Sequence, residues 1–314
     1  MIALAPVAPK ISIPYVRSVQ PLPELLPGEQ RRKIDIPHLS PSAIKLYRRC
    51  SASFYFKYKQ GMREALDSNL LRGSAVHTGG HAFLQALRED QRAGREPILQ
   101  RLITLAKVFA NDYITAELAK AGEEMHWRSK FNKSKDIATP ATLRATVERA
   151  IDILGEHSWI GMQPVEIESG YLIYWDEEHR PPNDRTLPLL AYADVIEHLD
   201  TPQGRVARVR DIKTGAKKNF EDVKLDIALS SYCAAHEAHH NIPTRLVGYD
   251  NLVTNATPLY NPIFGTRCDT DFQRLYRSAR IVTKAIRAGI YDPKDDPMVC
   301  SRCDYRAACQ AEFL

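Results

Sequence analysis

Ala191-Tyr192-Ala193-Asp194-Val195-Ile196 and Val209-Arg210-Asp211-Ile212-Lys213-Thr214-Gly215 read as two consecutive strands, rich in β-branched residues and each carrying an acidic side chain. Asp200-Thr201-Pro202-Gln203-Gly204 between them is turn chemistry, so the two should pair as an antiparallel hairpin. With the turn centred near residue 202, Asp194 faces residue 210 or 211, and two carboxylates come within reach of one ion. Asp211 and Lys213 alternate onto the same face of their strand. Carboxylate oxygens so placed suit a hard divalent cation such as Mg2+ or Mn2+, which keeps waters for substrate and nucleophile. Such an ion lowers the pKa of a bound water, and a lysine beside it can position that water or steady developing negative charge. Hydrolysis of a phosphodiester is the reaction these parts fit. The competing reading of D-I-K by itself is a strand end with a solvated salt bridge.

Working outward, the strand period also marks Val165 to Trp175 and Leu246 to Thr254. Helical spacing marks Gly73 to Leu87, Ile98 to Ala121, Thr139-Pro140 to about Leu154, Phe220 to His240, and Asp269 to Ala288. Leu39-Ser40-Pro41-Ser42 is a helix start, with serine as N-cap and proline at the first helical position. Arg48-Arg49-Cys50-Ser51 is a point at which that helix can break, and Gly122 to Thr139 reads as a loop. These elements predict an α/β fold, a central mixed sheet with helices on both faces. Four segments follow: a Pro-rich extended arm outside the core (1–37), a helical region (38–160), a core (161–290) and a cysteine-bearing tail (291–314). The arm holds seven prolines, each removing a backbone donor, and is a candidate docking segment for a protein partner.

The 314 residues are 44% hydrophobic and carry a net charge of +5, with a pI near 8.8. A large core is therefore available, and a polyanionic partner is compatible with the charge without being demanded by it. No stretch approaches the roughly 18 to 20 apolar residues of a membrane span, and no charged-then-apolar leader opens the chain. A cytoplasmic location is expected. In a reducing compartment the six cysteines read as metal ligands or free thiols before disulfides.

Cys50 stands near one end of the chain, and Cys300, Cys303 and Cys309 form a C-x2-C-x5-C run near the other. Thiolates so spaced can converge on one soft metal or cluster. Spacing leaves an iron-sulfur cluster, a structural zinc and free thiols all open. Cys233 and Cys268 read as ordinary buried cysteines.

Taken together, these motifs resemble the PD-(D/E)XK nucleases, in their RecB-like branch. The resemblance rests on Asp194, Asp211-Ile212-Lys213-Thr214-Gly215, Tyr232 in the following helix, Gly73-Ser74-Ala75-Val76-His77, Leu39-Ser40-Pro41-Ser42 with Cys50, and the terminal cysteine trio. That branch includes AddB-type nuclease domains, CRISPR-associated adaptation nucleases and phage exonucleases. The resemblance spans roughly residues 39 to 309, and five motifs in one order are more specific than any single motif. It implies the restriction-endonuclease-like fold, with His77, Asp194, Asp211 and the Ile212 carbonyl as ligands of the catalytic Mg2+ or Mn2+. It also implies Lys213 and Tyr232 as catalytic residues. Glu166 and Glu168 compete for an acidic position on the first core strand. For Cys50, Cys300, Cys303 and Cys309 it implies a [4Fe-4S] cluster, with Zn2+ the alternative. The implied substrate is DNA, as single strands or ends, and the implied activity is that of an exonuclease. Two positions depart from the family pattern: Ala228 stands where a glutamine is common, and Ala193 where glycine is.

Two other readings come from the residues themselves. His236-Glu237-Ala238-His239-His240 matches the H-E-x-x-H of zinc proteases, yet no third ligand follows at the spacing those enzymes use. Lys217 and Lys218, with Lys213, Arg205, Arg208 and Arg210, could bind phosphates in a cluster-bearing nucleic-acid-binding protein whose nuclease centre is silent. Tyr47, Phe54, Tyr55 and Phe56 are candidates either for base stacking or for core.

Overall fold

The structure is a computed structural model and describes residues 11–27, 37–64, 66–122, 125–127, 138–254 and 257–313. The expected hairpin is formed by β3 (Leu189–Thr201) and β4 (Gly204–Gly215), antiparallel, with Thr201 opposite Gly204 and Val195 opposite Arg210. Its turn is Pro202-Gln203, and Gly204 closes it at φ 113, a conformation strained for any residue with a Cβ. Just past the last pair, Asp194 accepts a hydrogen bond from the Ile212 amide of β4.

Around this hairpin the sheet runs β1-β2-β3-β4-β5-β6. β1 (Val16–Pro21) and β2 (Pro164–Trp175) add antiparallel on the β3 side; on the other, β5 (Thr244–Val253) is parallel to β4 and β6 (Leu259–Thr266) antiparallel to β5. The parallel pair requires a crossover, supplied by α6 (Phe220–Leu225) and α7 (Ile227–His240).

Both faces are covered. On one, α3 (Ser68–Arg92), α4 (Leu99–Ala121) and α5 (Pro140–His157) bury Val76, Phe83, Leu102 and Ile151 against Ile167, Val195 and Ile212. On the other, α1 (Pro41–Arg49), α7 and α8 (Asp269–Arg287) bury Ile44, Leu229, Tyr232 and Phe272 against Ala193, Val209 and Val247. Helix α3 fits closely: a Cβ at Gly79 would sit 2.8 Å from the Ala106 carbonyl oxygen of α4. This is a mixed six-stranded α/β fold of the restriction-endonuclease-like type. Among the described residues no helix is long and apolar enough to cross a membrane.

Several elements differ from the expectation, each for a local reason. Of the proline-rich segment, residues 1–10 and 28–36 lie outside the described residues; the described part does not stand apart, for β1 pairs with β2 while Ile13 and Leu25 are buried. Among its described prolines, Pro14 precedes β1, Pro21 ends it and Pro23 follows it, positions where a missing donor costs least. The single helix expected over 220–240 is two, because Asp226 takes an extended conformation and caps α7, accepting from the Ala228 amide at 2.8 Å. Asp67 caps α3 in the same way, accepting from Asn69 and Leu70, so that helix begins five residues before Gly73. The sequence reading missed β6 altogether. Of the expected loop 122–139, most of the stretch lies outside the described residues, but His126 bridges to Asp67.

At the chain ends, α1 gives way at Cys50 to α2 (Ser51–Phe54) and a π-helical turn, Tyr55–Lys59. Cys50, Ala52, Phe56 and Tyr305 form a separate small core to which Cys303 and Cys309 add their side chains. The tail elements α9 (Pro297–Cys300) and α10 (Arg306–Phe313) thus fold back onto the start of the domain. Phe54 and Phe56 are core residues, and Tyr55 packs on Phe56, Tyr291 and Phe313. The four aromatics read as stacking candidates are thereby largely engaged inside the protein.

Candidate active site

His77 and Asp194 meet where α3 crosses the sheet: His77 Nδ1 lies 3.4 Å from Asp194 Oδ2 and 3.9 Å from Glu168 Oε1. The ligand atoms of these three residues all fall within 4.8 Å of one another. Glu168 reaches the group from β2 through a left-handed backbone, φ 49, a conformation that costs a non-glycine residue about 1 kcal/mol or more. The residues flanking it on β2, Ile167 and Ser169, stay in register with Val195 and Ala193 of β3, so the ladder holds the strain in place. Asp194 is buried, and its Oδ2 accepts from the Ile212 amide at 2.9 Å. Burial alone would discharge His77, but the Asp194 and Glu168 carboxylates outweigh it and hold its pKa above the ordinary value.

Asp211, 2% exposed, flanks this group on β4. The Lys213 ammonium lies against its Oδ2 as an ion pair, yet that oxygen is buried without an aligned hydrogen bond. Burial pushes Asp211 up to about 7, with Asp194 and Asp226 adding to the rise and Lys213 opposing it. For Lys213, burial disfavours the charge, but Asp211 and Asp194 overcome that and raise its pKa. Lys213 is therefore a held cation and not a free base. Its Nζ sits 5.6 Å from the centre of the Tyr249 ring.

Asp226, Lys45 and Tyr249 were missed from sequence. Asp226 accepts from Lys45 Nζ at 2.6 Å and from the Tyr249 hydroxyl, and its charge is felt at both Asp211 and Lys213. The signal for Asp226 was its capping position ahead of an apolar helix; Lys45 and Tyr249 carried none. Tyr232, expected near the chemistry, is buried in the core under α7 with Tyr249 in the same cluster. Ile212 contributes its amide to Asp194, while its side chain packs in the core on the α3 side. Lys217 is exposed, and Lys218 is tied through its amide to Asn251 at 2.9 Å.

The donor set fits a hard divalent cation. Two carboxylates and one imidazole gather at one place; Asp211 is near enough to feel the Asp194 charge, and its buried carboxylate oxygen lacks an aligned donor, which a cation would satisfy. At the far end, burial raises the Cys309 thiol pKa and the neighbouring Cys50, Cys303 and Cys300 raise it further, and Cys50, Cys303 and Cys309 share one small core. Cys233 is buried as expected, but Cys268 is exposed at the start of α8, where its position as N-cap places it outside the core.

The protease reading is overturned by Glu237. Its carboxylate is buried and taken up by Arg245 at 2.8 Å and by the Thr244 amide at 3.0 Å, so it cannot act as a base on a water held by His236 and His240. Those two imidazoles face Glu166 instead. Of the two glutamates that competed on β2, Glu168 is the one beside His77.

The profile of the PD-(D/E)XK nuclease superfamily matches residues 38–310, and the chain belongs to that superfamily. It is a nuclease by family, and nucleic acid is its class of substrate. Among solved structures it is similar to a "Putative exonuclease" from Eubacterium rectale, at 11% identity over 88% of each chain, with a TM-score of 0.43. No curated protein matches the chain.

Proposed function

We propose that this chain is a divalent-metal-dependent deoxyribonuclease that digests DNA from single-stranded regions or ends, with a structural [4Fe-4S] cluster on Cys50, Cys300, Cys303 and Cys309. The observation that carries the reading is the convergence of His77, Glu168 and Asp194 beside the Asp211–Lys213 pair. His77, Glu168, Asp194 and Asp211 would hold Mg2+ or Mn2+, which when bound polarises the phosphate and acidifies a water. Lys213, kept protonated by its carboxylate neighbours, donates to a non-bridging phosphate oxygen as negative charge builds there. As the water oxygen bonds to phosphorus and gives up a proton to solvent, one P–O ester bond breaks and the departing alkoxide takes up a proton from solvent. Asp226, anchored by Lys45 and Tyr249, helps to set the field in which Asp211 and Lys213 work. Tyr232 keeps a positioning role from within the core, and Lys217 and Lys218 offer charge to the backbone of the strand.

End-labelled single- and double-stranded DNA incubated with Mg2+ or Mn2+ tests this. Wild type should shorten the labelled strand progressively, and Lys213→Ala should lose about 100-fold or more of that rate. Steeply salt-dependent binding without digestion, in wild type and variant alike, would replace the proposal with the silent nucleic-acid-binding reading.

A further inference from the structure

A second group of metal-ligand atoms lies outside this site, at the end of α7. His236 Nε2 is 3.7 Å and His240 Nε2 2.6 Å from the same oxygen, Glu166 Oε1 on β2, and the three ligand atoms lie within 4.8 Å of one another. The residues four apart on α7 present both rings to one side.

The hydrogen bonds fix the state of His236. The Thr244 hydroxyl donates its single proton to the Ile242 carbonyl at 2.8 Å. At its contact with His236 Nδ1, 2.7 Å away, it must therefore accept. Nδ1 carries the proton, and in the neutral ring Nε2 carries a lone pair. That Nε2 belongs to a fully buried residue, has no hydrogen-bond partner, and points toward a carboxylate oxygen too far away to be one. The Nε2 lone pair and this carboxylate oxygen, which also takes His240 Nε2 at 2.6 Å, face one another, and a cation among the three would satisfy the lone pair that has no partner now. The outer contacts match a metal centre, in which the far nitrogen of a ligating histidine is bonded and the carboxylate is oriented. Thr244 serves His236 in this way, and the Tyr171 hydroxyl donates to Glu166 Oε2.

We infer that Glu166, His236 and His240 form a second site, for a borderline divalent transition ion such as Zn2+, tying the end of α7 to β2. Two imidazoles and a carboxylate favour zinc, cobalt or nickel over Mg2+. Metal–ligand bonds of about 2.0 to 2.1 Å in a tetrahedron set ligand atoms about 3.3 Å apart, between the two separations seen here. His240, 36% exposed, can withdraw slightly to admit the ion and leaves the fourth position open to water. Because Glu166 lies two residues from Glu168, an ion here would stiffen the strand segment that reaches His77. The site stands on its own donors and does not depend on the nuclease reading.

Cobalt titration of the full-length protein, after dialysis against a chelator, tests the inference. Wild type should bind one more Co2+ than His240→Ala or Glu166→Gln, and the difference spectrum should show d–d bands without the near-ultraviolet band of thiolate coordination. Zn2+ should raise the Tm of wild type and shift that of His240→Ala less. Equal uptake by wild type and His240→Ala, or a difference spectrum of thiolate type, would overturn the site. Should Glu166→Gln fail to fold, the half-exposed His240 variant, checked by circular dichroism, decides alone.

Discussion

Strand β2 sends one glutamate to each of two histidine groups, Glu168 to His77 and Glu166 to His236 and His240. Around Glu168 the neighbours are carboxylates and a lysine, an oxygen-rich setting for a hydrated cation and a charged substrate. Around Glu166 they are imidazoles, with His236 in contact with the rings of His198 and His240. Burial pushes His236 down to about 4, whereas the carboxylates beside His77 outweigh burial and raise its pKa. The same residue type thus holds its proton more tightly in one group and gives it up more readily in the other. Surrounding charge, not the histidine itself, makes the difference.

The largest expected effect separates the two glutamates. Glu168→Gln should cut Mn2+-dependent DNA digestion by about 100-fold while leaving cobalt uptake at the α7 group in place. Glu166→Gln should abolish that uptake and slow digestion by less than about tenfold. Equal losses of activity in the two variants would mean that the groups are one functional unit.

Next in size is the cysteine end. Cys303→Ser should bleach the visible absorbance of the as-purified protein and lower its Tm by about 10 °C or more, since binding there closes nearly the whole chain into a loop. A colourless wild-type protein with stoichiometric zinc at the thiols would replace the cluster while leaving the comparison of the two glutamates intact.

Backbone strain gives a smaller effect of opposite sign. Glycine accepts the φ of 49 at position 168 without penalty, so Glu168→Gly should melt at the same temperature as wild type or a few degrees higher, yet digest DNA as poorly as Glu168→Gln. A Tm lowered by more than a few degrees would show that the carboxylate holds the fold together as well as serving the site.

Much of this was readable from residue order. The hairpin followed from strand alternation and the turn at Pro202-Gln203, and its register brings Asp194 to the Asp211-Ile212 stretch of β4. Ser40, Thr139 and Asn241 mark helix ends by their own chemistry. The choice between Glu166 and Glu168 was not legible, because it depends on a left-handed residue inside a strand, which nothing in the local sequence announces. The two-way split of residues 220–240 turned on Asp226 preferring to cap, a competition between a side chain and the helix that propensity alone does not settle. Lys45 was invisible for another reason: it reaches Asp226 across 181 positions of sequence, and only the packing of α1 on α7 brings them together.

Asp226 also supplies the smallest effect. Burial would raise its pKa, but Lys45, the Tyr249 hydroxyl and the Ala228 amide outweigh that and hold it below the ordinary carboxylate value. A carboxylate with a lowered folded-state pKa contributes stability that is fully present above its unfolded pKa, near 4, and is lost as pH falls through the folded value. Asn at this position keeps the cap on α7 and removes only the charge. Asp226→Asn should therefore be about 1 to 2 kcal/mol less stable than wild type at neutral pH, with the gap closing as urea melts are repeated at successively lower pH below about 4. A gap that persisted unchanged into acid would assign the loss to packing around Tyr249, and Lys45 would then be a surface lysine with no part in setting the charge around Asp211 and Lys213.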